Sequence, residues 1–310
     1  MPDILTVTMN PAIDISTSTD RVVPTHKLRC GVPQKHPGGG GVNVARVVHR
    51  LGGDCAALYP AGGASGDLMR QLLNDEGVTS ICVGIAGETR ESFSVNERST
   101  GQEYRFVLPG PELVPHEWQA CLDRVAGFEK PPRYIVASGS LPLGVPGDFY
   151  AQLIKLARRL GAKLVLDTSG PALAAALEEG VYLVKPSLRE LRAFFGQPLE
   201  TEVEWRRAAE HLIAQGKAQV VVLTLGEGGA WLVSTEGACF SPSLPVQVAS
   251  AIGAGDSLVG AMVWALATGL GLRDAFRYGV AAGSAALLTE GTGLCRPADV
   301  ARLHGEVTLI

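Results

Sequence analysis

The amino-acid sequence predicts a three-layer α/β domain, a mostly parallel central sheet with helices on both faces, and a small antiparallel sheet beside it. Three observations carry this expectation. Short β-branched runs alternate with helix-period segments along most of the 310 residues, the rhythm of β-α-β units. The runs read apolar on both faces, as strands covered by two helical layers do. Residues 15–36 and 90–108 break that rhythm and alternate polar with apolar residues around turn signals.

In chain order, "ILTVTM" (4–9) is the first buried strand, and 15–36 supplies the first half of the small sheet. In "NVARVVHRLGG", Val44, Val47, Val48 and Leu51 fall at i, i+3, i+4 and i+7, a single apolar helix face that stops at Gly52. In the second irregular stretch, "RSTGQ" reads as a hairpin turn between Phe93/Val95 and Tyr104/Phe106. "YIVAS" (134–138), "KLVLDT" (163–168), "VYLVK" (181–185) and "QVVVLTLG" (219–226) are further strands. Tyr150, Leu153, Ile154, Ala157 and Leu160 mark a helix ending at Gly161, and Leu258, Val259, Met262, Val263 and Leu266 mark another that begins near Ala254 and ends at Gly269. With no internal repeat, low-complexity tract or long linker, residues 1–310 read as one domain. A sheet outside its core has an apolar face to hide, so it is expected to serve as a lid, a dimer surface or both.

Charge and cysteines narrow the function classes. With 27 basic and 31 acidic residues, net −4, no general basic excess points to nucleic acid or an anionic membrane. The six cysteines (Cys30, Cys55, Cys82, Cys121, Cys239, Cys295) include no C-x-x-C pair, which argues against a zinc ribbon or a disulfide framework and for reduced cytoplasmic thiols. No apolar run of about 18 residues and no leader-like N-terminus occur, so a soluble, cytoplasmic protein is expected.

The chemistry concentrates in "SAIGAGDSLVG" (250–260). Gly253, Ala254 and Gly255 sit where a helix starts, and free N–H groups at that positive end receive phosphate oxygens or developing negative charge. There is no G-x-x-x-x-G-K-[ST], and Leu258 stands where a dinucleotide fingerprint needs its third glycine. A carboxylate among those amides suits attack of a hydroxyl on phosphorus: Asp256 accepts the proton while the amides hold the charge of the transferred group. The competing reading is that Asp256 caps the helix.

A second glycine cluster, "PGGGGVNVARVVHRLGG" (37–53), lets a ligand approach the backbone and offers Asn43 as a hydroxyl partner. Together with "TMNPAID", "KPSLREL" and "GAGD" in this order, it resembles the PfkB family of ribokinase-like carbohydrate kinases. The phosphofructokinase members are the nearest in pattern, since "KLRC", "SGSLP", "VGAMVWALA" and "GVAAGSAA" extend the likeness over nearly the whole chain.

The resemblance implies a ribokinase-like fold with a β lid from about 15–36 and 88–108, and transfer of phosphate from ATP to O1 of fructose 6-phosphate. Tagatose 6-phosphate and fructose 1-phosphate are alternative acceptors. Asp256, with Gly253, Ala254 and Gly255, would form the catalytic turn. Asp14, Gly38, Gly39, Gly40, Gly41 and Asn43 would line the sugar, with Arg90 and Ser140 at its phosphate or hydroxyls and Lys27, beside Arg29, reaching a partner subunit's site in a homodimer joined through the lids. A guanidinium at Arg90 makes sense because it grips phosphate bidentately; by spacing alone an exposed surface arginine is the competing reading. ATP contacts would be Lys185, Ser187, Thr224, Gly226, Glu227, Gly228, Gly229, Val248, Val280 and Ser284. Glu190 would help hold Mg2+ through water, and carbonyls near Ser250, Ile252, Ala286 and Gly291 would hold K+. Three positions depart from the pattern: Ser187 replaces an asparagine, Ala251 a threonine and Gly293 an arginine. A catalytically weak phosphosugar-binding regulator and an NAD-dependent oxidoreductase are the rival classes.

Overall fold

A computed structural model describes residues 2–310. Its strands are β1 (Ile4–Val7), β2 (Ala12–Thr19), β3 (Gln34–Gly38), β4 (Cys55–Ala61), β5 (Thr79–Gly84), β6 (Arg90–Glu97), β7 (Gln102–Val107), β8 (Tyr134–Ser138), β9 (Lys163–Asp167), β10 (Val181–Val184), β11 (Ala218–Thr224), β12 (Ala230–Ser234) and β13 (Gly237–Ser241). The helices are α1 (Gly40–Arg50), α2 (Gly63–Asp75), α3 (Pro115–Ala126), α4 (Phe149–Arg159), α5 (Gly170–Glu179), α6 (Leu188–Phe195), α7 (Glu202–Ala214), α8 (Ala254–Ala267), α9 (Leu272–Ala286) and α10 (Pro297–His304).

Alternation along the strands creates two cores. On β8, Tyr134 and Val136 join a core with α1, α8, α9 and α10, whereas Ile135 and Ala137 join another with α3 to α7. Val220 and Val222 against Val221 and Leu223 repeat the split on β11. This is why the strands read apolar on both faces. Each fully buried side chain, such as Leu153 or Val263, contributes about 1.5–3 kcal/mol.

The nine-stranded sheet runs β13-β12-β11-β10-β9-β8-β1-β4-β5, with only β12 and β13 antiparallel to their neighbours. From β1 the chain builds towards β4 and β5, and from β8 it builds the other way. A crevice opens at the carboxyl ends of strands where the order reverses, and ligands bind there in open α/β sheets. Both glycine clusters lie above it.

The second sheet, β3-β2-β6-β7, is antiparallel in two of its pairings and parallel between β2 and β6, where Ala12 pairs with Arg90 and Thr19 with Glu97. The parallel pairing follows from the chain path, because β2 and β6 continue from β1 and β5, parallel strands that end at the same rim. Phe93 faces Phe106 and Val95 faces Tyr104, as the sequence predicts. The two phenyl rings stack with centroids 4.8 Å apart, and Phe93 and Phe106 are 39 and 47% exposed, so this chain leaves that face uncovered. Among the described residues no helix is long and apolar enough to cross a membrane.

Candidate active site

The turn into α8 carries the strongest chemistry. Gly253 is its N-cap with φ 76°, a left-handed conformation, and a Cβ there would strike the Leu294 side chain; glycine alone meets both demands. The first helical bond runs from Ser257 N–H to the Gly253 carbonyl. Among the described residues, the N–H groups of Ala254, Gly255 and Asp256 have no internal acceptor. Asp256 lies in the first turn and makes no capping bond. Its Oδ2 instead accepts from Asn43 Nδ2 at 2.9 Å, so the capping reading fails and the carboxylate faces the cleft wall formed by α1.

Lys185 stands beside this turn: a Cβ on Gly255 would lie 3.5 Å from its Nζ. The lysine is buried and pairs with Asp167 Oδ1 at 3.1 Å, across the adjoining ends of β9 and β10. Burial disfavours its charge, but the carboxylates of Asp167, Glu190 and Asp256 outweigh this and hold its pKa above the ordinary lysine value. Asp256 is pushed up to about 7, by burial first and then by Asp167, against the Asn43 hydrogen bond and Lys185. A carboxylate tuned to neutrality accepts a proton readily near physiological pH.

Among the residues expected at the sugar, Asp14 of β2 packs against Gly38, where any Cβ would occupy the space of the carboxylate. Burial raises the Asp14 pKa, opposed by Arg105, Arg90 and Arg46. Asp14, Ser16, Ser92, Arg105, Ile252 and Thr292 line one cleft between the small sheet and the body. Arg90 is half-buried, donating from Nη2 to the Asn10 carbonyl at 2.9 Å and from Nη1 to the Leu108 carbonyl at 3.0 Å. This overturns the reading of an ordinary exposed arginine: its charge is anchored at the rim. Ser140 accepts from Asn10 Nδ2 at 3.1 Å. Lys27 and Arg29 lie in the exposed segment between β2 and β3.

The nucleotide candidates are arranged around α6 and α9. Ser187 caps α6: its hydroxyl accepts from Glu190 N–H at 3.3 Å, while Glu190 Oε2 accepts from Ser187 N–H at 2.8 Å. The serine expected at phosphate is thus occupied as a cap, and Glu190 is no free solvated carboxylate, because the two complete a capping box. A bridge between Ser187 and Thr224 brings the turn carrying Gly226, Glu227, Gly228 and Gly229 beside α6. Val280 and Ser284 are buried on α9, and Val248 is exposed on the loop before α8.

Of the cation candidates, Ala286 is the poorest, because its carbonyl already accepts from both the N–H and the hydroxyl of Thr289. Ser250 spends its hydroxyl on the Glu103 carboxylate at 3.1–3.2 Å, a contact from the body to β7, and accepts from Ile252 N–H at 3.2 Å. Among the described residues no cluster of three His, Cys, Asp or Glu side chains suits a metal. Sequence reasoning missed Asp167, Arg105, Glu103 and Arg46. Only Asp167 left a signal, an acidic residue closing the apolar run "KLVLDT".

The chain is similar to known proteins over nearly its whole length. The family model described as "pfkB family carbohydrate kinase" matches residues 7–299. A Mycobacterium tuberculosis protein named ATP-dependent 6-phosphofructokinase isozyme 2 is 49% identical over 301 residues, 97% of this chain and 88% of that protein. Phosphofructokinase-2 from Escherichia coli has been solved with potassium, with TM-score 0.94, 41% identity and 99% of each chain covered. The same enzyme has been solved with fructose-6-phosphate, with TM-score 0.93, 41% identity and 99% of each chain covered.

Proposed function

The chain belongs to the pfkB family of carbohydrate kinases, and from that premise we propose that it phosphorylates fructose 6-phosphate at O1 with ATP. It is an ATP-dependent phosphotransferase with an alcohol acceptor. The observation that carries the reading is the Asp256 carboxylate, fixed by Asn43 at the head of α8 among unused N–H groups and next to the Lys185 ammonium.

Asp256 takes the proton from the C1 hydroxyl as the sugar oxygen bonds to the γ-phosphorus and ADP departs. The N–H groups of Gly253 to Gly255 and the Lys185 charge stabilise the equatorial oxygens of the transferred group. Asp14 and the glycine run from Gly38 to Gly41 hold the sugar hydroxyls, while Arg90, Ser140 and a partner's copy of Lys27 take the existing phosphate. Ser187, Thr224, Gly226 to Gly229, Val248, Val280 and Ser284 hold the nucleotide. Mg2+ would neutralise the triphosphate, and Glu190 would help hold it through water, because one of its carboxylate oxygens lies outside the capping box. Carbonyls of Ser250, Ile252 and Gly291 are the better part of a K+ site beside the anion hole. The six unpaired cysteines support work in the reducing cytoplasm.

The test is ADP release with fructose 6-phosphate, tagatose 6-phosphate, fructose 1-phosphate, fructose and a nucleoside, in potassium and in tetramethylammonium. The highest kcat/KM is expected with fructose 6-phosphate, and faster turnover in potassium. Release only with unphosphorylated acceptors would refute the assignment, no release at all would favour a binding regulator, and equal rates in both salts would remove the K+.

A further inference from the structure

We propose that Arg46 is a positioning residue for the proton-accepting carboxylate, acting on Asp256 through the side-chain amide of Asn43; the inference rests on the kinase reading above. Arg46 falls outside the Val44/Val47/Val48/Leu51 face, yet it is 0% exposed. Its Nε and Nη2 grip the Glu76 carboxylate at the end of α2 at 2.7–3.0 Å. Its Nη1 donates to the carbonyls of Pro37 at 3.0 Å and Thr292 at 3.1 Å, and to Asn43 Oδ1 at 3.3 Å.

That last contact, the longest of the three that share the two Nη1 hydrogens, favours one orientation of the amide. An asparagine side chain has one acceptor atom and one donor atom. With Oδ1 taken by Arg46, Nδ2 is the atom left for Asp256, and it sits 2.9 Å from Oδ2. The reversed amide would set an oxygen against a carboxylate oxygen and an NH2 against a guanidinium, two repulsive contacts. A donor aimed at the carboxylate favours its ionised form, the form able to take a proton.

The other charged groups near Asp256 are Asp167 and Lys185 at the ends of β9 and β10, and Asp14 on β2. Those around Arg46 are Glu76 on α2, Arg50 on α1 and Asp14, with His36 of β3 also feeling its charge. Reversal of the amide moves none of them. Arg46 therefore sets the donor that the base sees while remaining out of contact with substrate.

The experiment is the pH dependence of kcat with fructose 6-phosphate for Arg46→Lys and Glu76→Gln, each alone and combined with Asn43→Ala, with thermal unfolding to check the fold. Arg46→Lys is expected to move the acid limb of kcat up by about one pH unit, the size of one charge-assisted hydrogen bond. At pH 6 kcat then falls about tenfold, while KM for the sugar stays within about threefold. With Asn43 replaced by alanine, the same change at position 46 moves the limb no further. A folded Arg46→Lys with an unmoved limb overturns the proposal, as does an equal shift in the Asn43→Ala background. If Arg46→Lys does not fold, Glu76→Gln decides: a smaller shift in the same direction supports the proposal and no shift overturns it. Absence of turnover in the unsubstituted protein overturns the kinase reading itself, and this proposal with it.

Discussion

Asp256, the proposed base, must ionise to accept a proton, and its surroundings set the cost. Its pKa in the folded chain is about 7 against 3.8 as the ordinary value. A raised value means the native state binds that proton more tightly than the unfolded chain. The associated stability is complete below about pH 4 and is lost as pH rises through 7. Asp256→Asn removes the penalty at high pH, so the variant is expected to melt several degrees above the parent at pH 8, with the gap vanishing near pH 4. Turnover is expected to drop about 10²- to 10⁴-fold while sugar binding persists. Melting curves at the two pH values and the kcat of the variant check this, and a gap that does not change with pH would show that the carboxyl is not held near neutrality. The glycines around this residue made it legible in the chain. Asp167 and Lys185 were not legible as a pair: they are 18 positions apart by number, and only adjacent strand ends bring their charges to 3.1 Å. Arg46 was hidden for the opposite reason, since a helical wheel assigns one buried face and α1 is enclosed by the sheet, α2, α8 and the turn at 292.

At the scale of elements, periodicity located helices and strands well and their beginnings less well. α8 starts at Ala254 as read, but α1 starts at Gly40, inside the glycine run that looked like loop. Glycine has poor helix propensity, and here close approach decides: a Cβ on Gly40 would enter Ser138 and one on Gly41 would meet Thr8. The parallel pairing of β2 with β6 was likewise unreadable, because alternation marks a strand and says nothing of its neighbour. The capping box of α6 has a measurable weight. Ser187→Ala is expected to cost about 1 kcal/mol in denaturant unfolding, because the Glu190 N–H loses its hydroxyl acceptor while the Glu190 carboxylate keeps the backbone N–H of residue 187. A stability change near zero would mean that the cap contributes nothing there.

Across the whole molecule, the reversal of strand order between β1 and β8 opens the crevice in which the candidate residues gather, and the small sheet closes one side of it. Its face carrying the exposed Phe93 and Phe106 is the surface proposed to meet a second copy of the chain, which would carry Lys27 towards the neighbouring site. Phe93→Asp with Phe106→Ser is expected to convert a dimer to a monomer in light scattering and to raise KM for fructose 6-phosphate about tenfold or more, in line with loss of a phosphate contact. A variant that remains dimeric would move the interface elsewhere.

The bond between Glu103 and Ser250 joins the small sheet to the turn that feeds α8. A sheet that lifts must first let go of this serine. The pocket for the travelling phosphoryl group would then slacken in the same event that lets the sugar escape, so an open molecule offers water no well-formed place to stand in for the alcohol.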